Sequence, residues 1–72
     1  MSFIAINNKK DGKVHFVNCN HIISFHSGNL VGETFIMLIN GQSLETSLDP
    51  ISVQQAINDA QRNEYRYLPV NH

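Results

Sequence analysis

Residues 34–50, Thr34-Phe35-Ile36-Met37-Leu38-Ile39-Asn40-Gly41-Gln42-Ser43-Leu44-Glu45-Thr46-Ser47-Leu48-Asp49-Pro50, decide the fold. Thr34 to Ile39 is the most hydrophobic segment of the chain and is apolar on both faces, as in a central strand or one covered by a second subunit. Asn40-Gly41 follows at once. This pair is the strongest two-residue hairpin signal, because a type I′ turn needs positive φ at both central residues and these types tolerate it best. Gln42 to Ser47 returns antiparallel, with Leu44 and Thr46 on one side and Ser43 and Glu45 on the other, and its polarity places it towards an edge. Asp49 then fits a helix N-cap, Pro50 the first helical position, and Leu48 a hydrophobic staple with Val53.

Downstream, Val53, Ala56, Ile57 and Ala60 recur at the spacing of one apolar helical stripe, while Gln54, Gln55, Asn58, Asp59 and Gln61 take the solvent side. Asn63 marks a stop, so the helix is expected over about 50–62 and residues 64–72 as an extended tail, in which Pro69 suits an edge or a free terminus. Upstream, Phe3-Ile4-Ala5-Ile6 is a short apolar strand cut off by a polar stretch that ends in the turn signal Asp11-Gly12. Lys13 to Val17 alternates, with Val14 and Phe16 on one face and His15 on the other, the pattern of a half-buried strand. His21 to His26 is a third strand, with Ile23 and Phe25 on one face and Ile22, Ser24 and His26 on the other, and Ser27 to Gly32 is a loop. The expected fold is α+β: an antiparallel sheet of four to five strands over residues 3–47 followed by one C-terminal amphipathic helix, all in a single domain of residues 1–72. The strand pattern leaves closure into a barrel open.

With 72 residues the chain forms a core of limited size, since a domain this short buries only about 60% of the surface its unfolded form exposes. Oligomerisation is the natural supplement. Cys19 is the only cysteine, which excludes an intramolecular disulfide framework. A lone thiol without a basic, then apolar, leader fits a reducing cytoplasm, and no stretch approaches the ~20 apolar residues of a membrane span. A net charge of −1 argues against a general electrostatic grip on nucleic acid, where clustered Lys and Arg supply most of the affinity.

Four donors for zinc or copper, His15, Cys19, His21 and His26, lie close in sequence. Their spacing matches no compact Cys-x-x-Cys or His-x-x-x-His element, and the plainer reading is of solvent-facing histidines on a sheet. Cys19 lacks an identifiable orienting group and oxyanion donor for nucleophilic catalysis. Glu33, Glu45, Asp49, Asp59 and Glu64 show no pairing that would serve a carboxylate hydrolase, and Asp49 is accounted for as a cap. Ser27 to Gly32 lacks the lysine and strand-to-helix context of a phosphate loop. Arg62, Tyr65, Arg66 and Tyr67 form the one cluster that mixes cations with aromatics. It is suited to stacking on bases or anchoring a protein partner, or more plainly to packing the tail against the domain or a neighbouring subunit.

An apolar opening strand, Val17-Asn18 followed by Ile22 and Ile23, then Thr34-x-Ile36-x-Leu38-x-x-Gly41 and a helix containing Val53 and Ile57, resembles the very small bacterial proteins typified by the FlbD-like flagellar and swarming-motility proteins, together with similar phage and plasmid proteins. The resemblance spans residues 3 to 57. The Ser27 to Gly32 loop and the aromatic tail from Tyr65 depart from it. A weaker similarity, to the half-domain of LytTR-type DNA-binding modules, rests on the same strands and lacks the basic residues that contact phosphates.

The function expected is that of a small non-enzymatic interaction or regulatory protein of bacterial or phage origin, partnered by itself as a homo-oligomer and by another protein, with no cofactor and no membrane. The alternatives are a nucleic-acid-binding module using Lys9, Lys10, Lys13 and the Arg62 to Tyr67 tail, and a small-ligand or metal site formed between subunits.

Overall fold

Alternation along the first strand sets the position of the core. In β1 (Phe3–Asn8) the side chains of Ile4, Ile6 and Asn8 are buried and those between them are exposed. It pairs antiparallel with β2 (Lys13–Asn18), with Ile4 opposite Val17, Ala5 opposite Phe16 and Ile6 opposite His15. Residues directly opposite share a face. Because Ile4 and Ile6 face the core, Val17 and His15 turn the same way, and Val14 and Phe16 face out. The alternation of β2 defines these two faces, and the register with β1 selects the one that turns inward.

The computed structural model describes residues 2–66, with side chains to Arg62. A single 3-10 turn, Cys19–His21, follows β2, and the side chain of Asn18 caps it by accepting the N–H of Asn20. Then come β3 (Ile22–Ser27), β4 (Thr34–Leu38), β5 (Ser43–Thr46) and α1 (Pro50–Arg66). The fold is α+β, as expected, with its strands divided between a two-stranded sheet, β1-β2, and a three-stranded sheet, β3-β4-β5, and no closed barrel. The segment apolar on both faces, β4, is the centre of the larger sheet, with Thr34 and Ile36 wholly buried.

Two local features differ from the pattern in the sequence. The β3–β4 register shifts between Ile22 and Ser24, so Ile23 is a bulge. Ile22 and Phe25 pack against the core, and Ile23 is left exposed. At the β4–β5 turn only Gly41 has positive φ, at 87°. The N–H of Gly41 donates to the carbonyl of Leu38 at 3.0 Å, and Leu38 N–H donates to the carbonyl of Gln42 at 2.8 Å. That closes a three-residue loop with a left-handed glycine, in place of the two-residue type I′ turn.

The helix begins as the sequence dictates. An Asp49 carboxylate oxygen accepts the N–H of Ser52 at 2.8 Å, and the Asp49 carbonyl accepts that of Val53. Leu48 is held by its main chain: its carbonyl accepts the hydroxyl of Thr34 at 2.7 Å, and its side chain stays exposed. Val53 is fully buried, and Ala56, Ile57 and Ala60 pack with it against Ile4, Ile6, Val17, Ile36 and Leu44. Asn63 is no stop. The helix continues to Arg66, so Glu64, Tyr65 and Arg66 are helical and not extended. Asn is a mediocre helix former, but it breaks a helix only where a left-handed C-cap or a proline supports the exit. The remainder of the expected tail, 67–72, lies outside the described residues.

Candidate functional site

The outer face of the β1–β2 hairpin carries three exposed large apolar side chains. Phe3 is 51% exposed, Val14 55% and Phe16 75%. Phe3 pairs with Asn18 and Ala5 with Phe16, so the two phenylalanines are diagonal neighbours on one face. Ile39, 64% exposed at the end of β4, is carried to this face because its N–H donates to the carbonyl of His21 at 2.8 Å. That bond brings the β4–β5 loop beside the 3-10 turn. Between them lies an open groove of about 470 Å³ bordered by Phe3, Phe16, Leu38 and Ile39, with His15, His21, Asn18 and Asn40 supplying its polar atoms. Among the described residues no Lys, Arg, Asp or Glu lines it.

Of the four metal-ligand candidates only His15 and His21 share a surface, the groove. His15 Nε2 is 2.8 Å from an Asp11 carboxylate oxygen. Cys19 is buried in the core. His21 lines the groove, and His26 Nδ1 lies 2.8 Å from the carbonyl of Ser27, with its ring edge-on to Phe35 at 5.7 Å. Among the described residues no three His, Cys, Asp or Glu side chains are grouped to hold a metal ion.

Three charged side chains, Lys9, Lys10 and Glu33, are engaged at the junction of the two sheets. Lys9 pairs with Glu33, whose carboxylate is buried and also accepts the N–H of Leu30. Lys10 donates to the hydroxyl and the carbonyl of Ser43. Arg62 pairs with Asp59 one turn back on the helix, at 3.2 Å. Tyr65 and Arg66 belong to the last helical turn by their backbone, and Tyr67 lies outside the described residues. The carboxyl of Asp11 is held below the usual range, first by the main-chain N–H of Lys13 and then by His15. That of Asp49 is lowered by the side chain and then the N–H of Ser52 at the helix cap.

The groove was not among the sites expected from sequence, yet a signal for it exists. In β1 and β2 apolar residues occupy both parities, Phe3 and Ala5 against Ile4 and Ile6, and Val14 and Phe16 against Val17. A hairpin apolar on both faces is one that something covers on both sides. Compared with known proteins, the chain matches no family model, no curated protein and no solved structure. No helix among the described residues is long and apolar enough to cross a membrane.

Proposed function

We propose that this chain is a small non-enzymatic interaction protein that associates with itself and regulates or scaffolds another protein. The observation that supports this reading is the outer face of the β1–β2 hairpin, where two phenylalanines, a valine and the nearby Ile39 stand largely in solvent. A largest patch of about 300–600 Å² on a monomer is often functional, and apolar patches rimmed by polar residues mark interaction sites. The groove offers shape and apolar surface, and the one carboxylate bonded to a histidine of its lining, that of Asp11 on His15, does not itself line it. An origin in a bacterial or phage-infected cell, and a cytoplasmic setting, belong to the same proposal.

The nucleic-acid alternative loses support because Lys9, Lys10 and Arg62 are already engaged by Glu33, Ser43 and Asp59. Light scattering coupled to size exclusion, in low and high salt, tests the proposal. The expected result is a species heavier than one chain that persists in high salt, because apolar contacts are not screened. A single-chain mass at every concentration and salt level would overturn it.

A further inference from the structure

We infer that two copies of this chain pair about a two-fold axis through the outer face of the β1–β2 hairpin, each seating its Phe16 in the groove that Phe3, Leu38 and Ile39 border on the other. This rests on the proposed self-association and names its surface. A two-fold interface uses the same patch on both subunits, so the patch must be complementary to itself. Here the projecting group and the recess lie side by side: Phe16 is the most exposed aromatic of the hairpin face, and the groove of about 470 Å³ opens next to it. An axis between them exchanges the two phenylalanines.

The chemistry of the recess selects the same occupant. Among the described residues its lining contains no Lys, Arg, Asp or Glu to meet an acidic or basic segment, whereas a phenyl ring gives up no hydrogen bond on leaving water. A net charge of −1 per chain raises little repulsion between copies.

The area agrees. Phe3, Val14, Phe16 and Ile39, at the exposures given, present roughly 400–500 Å² of apolar side chain, taking about 150–250 Å² for each aromatic and somewhat less for the aliphatics. A standard interface removes about 800 Å² per partner, of which about 56–65% is apolar, or about 450–520 Å². The hairpin face together with Ile39 therefore supplies about the apolar share of one side of a stable dimer.

Sedimentation equilibrium of the full chain, alongside Phe16→Glu and the control Ile51→Glu, tests the pairing. Ile51 is equally exposed but sits at the start of α1 and does not line the groove. The expected result is a dimer for the unaltered chain and for Ile51→Glu, and a dissociation constant raised at least about tenfold for Phe16→Glu. A Phe16→Glu protein as dimeric as the unaltered chain would overturn the surface while leaving self-association standing. A monomeric unaltered chain would overturn both. Should Phe16→Glu fail to fold, amide shifts of the unaltered chain over a dilution series decide the matter. Concentration-dependent changes gathered at Phe3, Val14, Phe16 and Ile39 support the pairing, and changes confined to other residues refute it.

Discussion

The side-chain oxygen of Asn8, at the end of β1, accepts the main-chain N–H of Glu45 on β5 at 3.0 Å, and the N–H of the next residue, Lys9, donates to the carbonyl of Glu45. The two sheets are thus joined at one point by a buried amide acting as a surrogate backbone acceptor. The same oxygen lies 3.3 Å from the N–H of Lys10 and shapes the turn that follows. Among the described residues no buried side-chain nitrogen or oxygen lacks a partner, so this junction is fully satisfied. Replacing Asn8 with Ala removes the acceptor and leaves the N–H of Glu45 without it, a loss of about 1–3 kcal/mol. The check is the urea midpoint, which should fall with the slope unchanged; a midpoint equal to that of the unaltered chain would show that the junction contributes nothing.

Beside that junction, Lys9 neutralises the buried carboxylate of Glu33, which also organises the loop after β3: the carbonyl of Glu33 accepts the N–H of Gly28 at 2.8 Å. Lys9→Met leaves Glu33 buried without its counter-charge, and a destabilisation of about 1–3 kcal/mol is expected, at the low end because Lys9 is partly in water. Adding Glu33→Gln should restore part of the loss, since a neutral amide needs no counter-charge. Thermal melts of the two single variants and the double variant check this. A double variant no more stable than Lys9→Met would contradict the assignment.

At the helix start the sign of the pH dependence is fixed by the Asp49 carboxyl, which its bonds to Ser52 hold below the usual range. A group whose folded pKa is depressed stabilises the fold above its unfolded value, and that contribution is lost as pH falls through the folded pKa. Acidification below the ordinary carboxylate range should therefore lower the melting temperature. Asp49→Asn keeps a capping oxygen without the titration, so its melting temperature should vary less with acid than that of the unaltered chain. Equal acid sensitivity in the two proteins would remove Asp49 from the account, leaving Asp11, likewise depressed, to explain it.

Cys19 separates the metal reading from the structural one. Its side chain belongs to the core cluster, and burial makes a thiol inert. Labelling by a thiol reagent should be slow in native buffer and rapid in denaturant, and zinc should leave the melting temperature unchanged. Fast labelling of the native protein, or stabilisation by zinc, would show that the thiol is accessible.

Much of this architecture is legible in the chain. The helix start at Asp49-Pro50, the stripe from Val53 to Ala60 and the central position of Thr34 to Leu38 follow from local chemistry, because caps, periodicity and hydrophobic runs act over a few residues. The inward face of β2 does not. Phe16 and Val17 are both apolar, and only pairing with Ile4 and Ile6 across the hairpin assigns Val17 to the core. The bulge at Ile23 and the left-handed glycine at position 41 depend in the same way on a partner strand. The groove escapes notice for a further reason: Ile39 reaches it through a bond to His21, a contact between segments distant in sequence. Of the residues conspicuous in sequence, His15 and His21 share the groove, while the 3-10 turn directs Cys19 inward and His26 lies elsewhere on β3.

The central claim is that the exposed hairpin face is covered by another copy of the chain. The most direct measurement is the solution mass of the full chain by light scattering over a dilution series. A single chain weighs 8.1 kDa, and the expected result is twice that mass at high concentration, dissociating reversibly on dilution. A mass of one chain throughout, with Phe16 as solvent-exposed at high concentration as at low, would contradict it.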